Sequence, residues 1–210
     1  MMKSLLFGSL LLMLLPPCLP AQNAGAVSLF DGVSLKGWQG NTAVWRASDG
    51  VIAGGSLEGN KQNEFLSSEK RYRNFVLKLD YKIEGTEGFI NGGVQIRSER
   101  MEKPAHEMIG YQADIGAGYS GNLYDESRRK KMLATSEKAV IDAAEKPGQW
   151  NTYEIRCEGP RIRLFVNGQP TVDYTETEAG ISQEGFIALQ IHGNCKAEIR
   201  FRNITIQELP

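Results

Sequence analysis

Apolar and polar residues alternate with a period of two along most of the chain, which is the pattern of half-buried β-strands. The alternation predicts strands at residues 51–53, 75–83, 93–97, 111–115, 152–157, 161–166, 185–192 and 197–206. Asn167 and Gly168 follow one of these runs and predict a type I′ hairpin, since both central residues of that turn need positive φ. Two stretches, 61–73 and 116–146, look irregular, and a helix is expected only within 126–141.

Eight or more short strands separated by glycine and asparagine turns are typical of two antiparallel sheets packed face to face. We therefore expect an all-β fold, a jelly-roll β-sandwich, formed as a single domain by residues 27–210. The first and last strand-like segments, near 29–38 and 201–209, are expected to pair, because a sandwich has to cover its sheet edges.

The N-terminus has the features of a secretory signal peptide. Lys3 precedes an apolar run at 5–15 that is too short to span a bilayer, and small residues follow up to Ala26. We assign residues 1–26 to this signal, which predicts a secreted or periplasmic protein. Cys18 follows two prolines instead of the small residues that precede a lipid-modified cysteine, so a cleaved form without a membrane anchor is favoured.

The balance of charged residues limits the classes of partner that the chain is expected to bind. The chain has 24 Lys and Arg against 25 Asp and Glu, a net charge of -1, which gives no electrostatic reason to bind nucleic acid or an anionic membrane.

After removal of the signal peptide, two cysteines remain, Cys157 and Cys195. In an oxidising compartment they either form a disulfide or stay separate as small core residues, and the sequence leaves both possibilities open.

Three of the predicted strands carry similar polar pairs opposite their apolar residues. The pairs are Gln95 with Arg97, Gln112 with Asp114, and Gln190 with His192. If the strands are neighbours in one sheet, these six side chains form a continuous polar patch. Each pair alone is more often a solvated face, but the coincidence in three strands favours a binding site.

The side chains of this patch suit carbohydrate recognition. Amides and planar ionic groups match the donors and acceptors of vicinal hydroxyls, and aromatic rings stack on sugar faces. Further candidate contacts are Tyr111, Tyr119, Tyr124, Asn91, Glu64 and Arg128.

Candidate catalytic groups lie in the same patch. His192 is a candidate base or proton shuttle, and Asp114 and Glu126 are the acidic candidates. A carboxylate beside Arg97 is expected to have a lowered pKa, which suits a base. No zinc-type His/Cys spacing, calcium loop, phosphate-binding loop or GxSxG elbow is present in the sequence, so neither a cofactor nor a metal is predicted.

Several separated motifs together resemble one known family. They are LFDGVSLKGWQ, WRASDGVI, NGGVQIRS, GYQADIG, GNLYDESRRKK, GQWNTYEIRCEGPRIRLFVNG, GFIALQIHG and FRNITIQEL, which run in this order from about residue 28 to the end. The set resembles the 3-keto-disaccharide hydrolase domain family. The resemblance implies a concanavalin A-like jelly roll and cleavage of glycosides whose sugar is oxidised at carbon 3, which links the protein to a sugar 3-oxidoreductase.

A ketone at carbon 3 acidifies the hydrogen on carbon 2, so a base can start elimination of the group at carbon 1, and water adds afterwards. The expected base is His192 or Asp114, and Arg97 with Gln95 or Gln112 is expected to stabilise the enolate. Tyr124 is a candidate proton donor or ring contact. The alternatives are a carbohydrate-binding module without catalysis and a scaffold whose polar face contacts another protein.

Overall fold

The computed structural model describes residues 25–210, and these residues form two antiparallel sheets. The elements in chain order are β1 (Val27–Ser28), β2 (Trp38–Gln39), β3 (Trp45–Ser48), β4 (Val51–Asn60), β5 (Glu64–Tyr72), β6 (Phe75–Gly88), β7 (Asn91–Arg100), β8 (Met108–Gly116), β9 (Leu123–Glu126), β10 (Lys131–Ala134), α1 (Lys138–Ala144), β11 (Asn151–Glu158), β12 (Arg161–Val166), β13 (Gln169–Thr175), β14 (Gly185–Ile191) and β15 (Cys195–Glu208). Sheet A has the order β13-β12-β11-β6-β15-β4-β3, with β1 also paired to β15. Sheet B has the order β10-β9-β8-β7-β14-β5-β2.

All eight predicted strands are confirmed, and so is the hairpin. Asn167 and Gly168 have φ values of 49° and 80° between β12 and β13. The terminal pairing is also confirmed, with Val27 opposite Ile206 and the Leu29 amide donating to the Ile204 carbonyl. The fold is thus the predicted jelly-roll sandwich.

Two local expectations are wrong. The stretch 61–73 contains β5, whose alternation is hidden by the buried serines Ser67 and Ser68 next to a register shift against β14. The expected helix exists, but it lies at Lys138–Ala144 and shares only residues 138–141 with the expected range, within which Lys131–Ala134 forms strand β10. Propensity alone did not separate a short edge strand from a helix here.

The main core lies between the sheets. Alternate residues of β6, such as Leu77 and Leu79, face alternate residues of β14, such as Leu189 and Ile191, and all four are buried. The face of sheet B that is turned away from this core is called the outer face below. It is the part of the fold that positions the candidate site.

The two cysteines lie at opposite ends of β6. Cys157 is opposite Phe75 and Cys195 is opposite Gly88, about 40 Å apart at the usual rise of a strand. A disulfide needs Cα atoms within about 7 Å, so both thiols are free.

Residues 1–24, which carry most of the expected signal peptide, lie outside the described residues, so that expectation stays a prediction. Within 25–210, no helix combines the length and the apolar composition that crossing a membrane requires.

Candidate active site

The three polar pairs do come from neighbouring strands, because β8, β7 and β14 lie side by side in sheet B. Gln112 is directly opposite Gln95, while Asp114 and Gln190 are both opposite Gly93. Residues that are directly opposite each other share a face of the sheet, so these four side chains belong to the outer face. The alternation of apolar and polar residues in the sequence therefore predicted the face of these four side chains correctly.

A chain of hydrogen bonds with a fixed direction crosses the outer face. Gln112 donates from Nε2 to Oδ1 of Asp114 at 2.7 Å, and its Oε1 accepts from Nε2 of Gln95 at 2.8 Å. The Oε1 of Gln95 accepts from the Ser98 hydroxyl at 2.6 Å. An ionised carboxylate can only accept, so Asp114 fixes which way both amides point.

Gly93 makes room for this arrangement. A Cβ atom at Gly93 would lie 2.8 Å from Cγ of Gln112 and 3.0 Å from the backbone oxygen of Ala113. The Gln112 side chain therefore leans over Gly93 toward Asp114, which a larger residue would prevent.

A cavity of about 270 Å³ opens next to Asp114 on the outer face. Its lining residues are Asn63, Phe89, Asn91, Gln112, Asp114, Tyr119, Tyr124, Glu126, Met132 and His192. It thus brings together from the predicted set Asp114, His192, Gln112, Asn91, Tyr119 and Tyr124, together with the acidic candidate Glu126. A pocket with several convergent polar groups is the usual form of a small-ligand site.

Two carboxyl groups in the cavity have pKa values above their ordinary values. Burial raises the pKa of Asp114 from 3.8 to about 7; the hydrogen bond from Gln112 opposes this shift, and the charge of Glu126 adds to it. Burial also raises the pKa of Glu126, and Glu107 raises it further. The expectation that Arg97 lowers the pKa of Asp114 is wrong.

His192 presents one ring nitrogen as an acceptor. Its Nδ1 lies 2.7 Å from the carbonyl oxygen of Gly193, and a carbonyl can only accept, so Nδ1 carries the proton. In the neutral ring Nε2 then holds a free lone pair. The ring packs edge to face against Phe89, with centroids 4.8 Å apart.

Arg97 does not share the outer face with Gln95. Its φ of 50° lies within a β-bulge, where the register of β7 shifts against β8 between Ile96 and Glu99. The guanidinium donates to the backbone oxygens of Arg73 and Gly159, each at 2.7 Å, and does not line the cavity. The prediction failed because one extra residue in a strand reverses the alternation beyond it.

Gln95 and Gln190 are on the expected face but are fully buried and do not line the cavity. Gln95 acts on the site only through Gln112. Neither amide atom of Gln190 has a hydrogen-bond partner among the described residues. The expectation that both side chains line the groove is therefore wrong, although both lie on the expected face of the sheet.

Tyr111 and Arg128 lie on the inner side of sheet B. The Tyr111 hydroxyl donates to Glu176 at 2.7 Å, and the Arg128 guanidinium stacks on the Tyr111 ring at 4.5 Å while its Nε donates to Asp125. Buried Asp125 draws Arg128 inward, so neither residue lines the cavity as expected.

Glu64 also lies elsewhere. Its Oε1 accepts from Asn41 at 3.2 Å and from Gln62 at 3.0 Å, and all three line a different cavity of about 400 Å³. The reason is register, since Glu64 is opposite Ile191, which faces the core.

Sequence reasoning missed Asn63, Phe89 and Met132. Asn63 lies just before a strand that was not predicted, and it accepts a hydrogen bond from the Gly193 amide at 2.9 Å, next to His192. Phe89 lies in the turn between β6 and β7, where alternation carries no information. Across residues 25–210, no group of three or more His, Cys, Asp or Glu side chains is placed to hold a metal ion.

The jelly-roll sandwich and this acid, amide and aromatic cavity are features expected of a carbohydrate-active protein. Residues 25–207 match the model of the 3-keto-alpha-glucoside-1,2-lyase-like domain, and the chain belongs to that family.

Individual relatives are distant. A 3-keto-disaccharide hydrolase of Bacteroides thetaiotaomicron is 21% identical over an alignment of 241 positions, and the alignment covers 91% of this chain and 81% of the relative. A proposed glycosyl hydrolase from Parabacteroides distasonis superposes with a TM-score of 0.67 at 20% identity, covering 89% of this chain and 94% of that one. The carbohydrate-binding module CBM66 from Bacillus subtilis has a TM-score of 0.63 at 18% identity, covering 82% and 96%. At these identities the two structures establish the fold alone.

Proposed function

We propose that the protein cleaves glycosides whose sugar carries a ketone at carbon 3, by elimination across carbons 1 and 2 followed by addition of water. The observation that carries the proposal is Asp114, a carboxyl group at the floor of the cavity with a pKa of about 7. Such a group is half ionised near neutral pH, which suits abstraction of an acidified carbon-bound proton.

In the first step the Asp114 carboxylate takes the proton from carbon 2, and the electron pair of that bond moves to the ketone oxygen as an enolate. The expected donors to this oxygen are the Asn91 amide and the Tyr124 hydroxyl, which both line the cavity. They replace Arg97, which is held at another end of the strand. Burial and nearby carboxylates raise the pKa of Tyr124, so its hydroxyl keeps its proton.

In the second step the enolate returns its electrons to form a double bond between carbons 1 and 2, and the bond from carbon 1 to the leaving oxygen breaks. Glu126 lines the same cavity and has a raised pKa, so it is the acid that protonates this oxygen. Water then adds its oxygen to carbon 1 and gives a proton to the Glu126 carboxylate, and carbon 2 recovers a proton from Asp114, so both carboxyl groups return to their starting states. The products are a 3-keto sugar and the free leaving group.

His192 is the second candidate base, through the lone pair on Nε2. Exchange of the carbon 2 hydrogen in D2O separates the candidates, because exchange needs a base but no leaving group. Purified wild type, Asp114→Asn, His192→Asn and Glu126→Gln are incubated with 3-ketoglucose and, separately, with 3-ketoglucosides. We expect Asp114→Asn to lose exchange and cleavage, and Glu126→Gln to keep exchange but lose cleavage.

The base assignment to Asp114 is overturned if Asp114→Asn exchanges at the wild-type rate and His192→Asn does not. Binding of glycosides without product, even from oxidised sugars, would instead support a carbohydrate-binding module. The proposed substrate requires a sugar 3-oxidoreductase to supply the ketone. Export by the expected signal at 1–26 would place the reaction outside the cytoplasm.

A further inference from the structure

The cavity has a polar floor and an aromatic mouth. Asp114 and Asn91 are buried at the floor, whereas Phe89 and Tyr119 are 42% and 39% exposed. Of the five large apolar side chains exposed in the described part of the chain, the two aromatic ones both line this cavity. Exposed aromatic side chains beside a polar cavity indicate a ligand-binding surface, because the exposed part of each ring does not stabilise the core and is available to contact a ligand.

Phe89 is held in place although it is exposed. Its ring meets Tyr119 edge to face with centroids 5.2 Å apart, and it meets His192 in the same manner at 4.8 Å. The preceding Gly88 has a φ of 79°, and a Cβ there would lie 2.2 Å from the backbone oxygen of Asn194. This close approach fixes the turn between β6 and β7, which presents the ring to the mouth.

The size of the cavity decides which part of a substrate reaches Phe89. At about 270 Å³ it lies below the range of about 300 to 1,000 Å³ that is typical of sites for drug-sized ligands. It therefore suits one sugar ring. In the orientation that the subsite requires, carbon 2 of this ring approaches Asp114 at the floor and the carbon 1 substituent extends toward the mouth.

We propose that Phe89, supported by Tyr119, forms a leaving-group subsite that stacks against a flat apolar face of the substituent at carbon 1. This inference rests on the proposed function. A second pyranose and an aromatic aglycone both present such a face, whereas a methyl group does not. Phe89 is thus a specificity-determining residue.

The test compares Phe89→Ala with wild type on three 3-ketoglucosides that carry methyl, phenyl or glucosyl at carbon 1. For each substrate we compare the ratio of kcat/KM in the variant to kcat/KM in wild type, and the intrinsic reactivity of the leaving group cancels in this ratio. We expect kcat/KM to fall about three- to tenfold for phenyl and glucosyl, and less than twofold for methyl, since stacking contributes that much per ring pair. Phe89→Trp should restore the preference.

Phe165→Ala is the matched control, because Phe165 is a half-buried aromatic on sheet A that lines a different cavity. It should leave all three ratios unchanged. An equal loss for the three substrates, or no loss for phenyl and glucosyl, overturns the subsite. A loss confined to phenyl or to glucosyl identifies the leaving group that the subsite takes.

Failure of the proposed function is seen separately, as absence of cleavage of all three substrates by wild type. The subsite is then measured by calorimetric binding of unoxidised phenyl and methyl glucosides. Tighter binding of the phenyl compound that is lost in Phe89→Ala supports it. Equal binding of the two compounds by wild type overturns it.

Discussion

The charge of Glu126 raises the pKa of Asp114 in the cavity that both residues line. Two interacting carboxyl groups in a buried site do not ionise together readily, so one tends to keep its proton while the other is a carboxylate. This division supplies a base and an acid from the same residue type. The hydrogen bond from Gln112 favours ionisation of Asp114, whereas burial and the charge of Glu126 oppose it.

The first prediction concerns the pH dependence of proton abstraction. Because Asp114 must be ionised to act as base and its pKa is about 7, the rate of hydrogen exchange at carbon 2 should rise with unit slope below about pH 7 and level off above it. Glu126→Gln removes a charge that raises this pKa, so the midpoint should move to lower pH. The measurement is the exchange rate of 3-ketoglucose in D2O between about pH 5 and pH 9, and an unmoved midpoint in Glu126→Gln would contradict the coupling.

The second prediction concerns stability. Folding raises the pKa of Asp114 from 3.8 to about 7, so the folded state binds this proton more tightly than the unfolded state. The resulting loss of stability is absent below about pH 4, grows as pH rises and is complete above about pH 7. Asp114→Asn should therefore raise the melting temperature at pH 8 but not at pH 4, while activity is lost. An equal change at both pH values would argue against a buried charge.

The third prediction concerns Gln95 as a positioning residue. Gln95→Leu removes the donor that fixes the Gln112 amide, so Asp114 loses a hydrogen bond that lowers its pKa. We expect kcat to fall about tenfold with little change in KM, and the pH midpoint to rise. Gln62→Leu, at a glutamine in the other cavity, is the control. A midpoint that stays in place would reduce Gln95 to a structural role.

The fourth prediction separates Arg97 from catalysis. Arg97→Met leaves the backbone oxygens of Arg73 and Gly159 without their charged donor. The free energy of unfolding should fall by about 2 to 4 kcal/mol, measured by urea denaturation. The folded fraction should keep wild-type kcat/KM, and Arg97→Lys should recover part of the stability. A folded Arg97→Lys with strongly reduced kcat would restore Arg97 to the active site.

The fifth prediction concerns Gln190, whose buried amide has no partner among the described residues. Gln190→Met has a similar volume and removes two buried polar atoms, so stability should rise by about 1 kcal/mol or stay unchanged. Because Gln190 does not line the cavity, kcat/KM should stay within about twofold. A large loss of activity at unchanged stability would show that the amide contacts the substrate.

Alternation along the sequence was sufficient to predict much of the architecture. It identified eight strands, the hairpin at Asn167 and Gly168, and the outer-face positions of Gln112, Asp114 and Gln190. These features depend on the period of the strand and on local turn chemistry, which are properties of adjacent residues. The sequence therefore determined on which face of its strand each of these polar residues lies.

Tertiary structure decided which of those residues form a site. The bulge that carries Arg97 away, the core-facing register of Glu64, and the pull of Asp125 on Arg128 each depend on a partner strand or side chain distant in sequence. The same holds for Asn63 and Phe89, which reach the cavity from a loop and a turn. The pKa of Asp114 followed from its burial, and burial is a property of the packed sheets rather than of the residue.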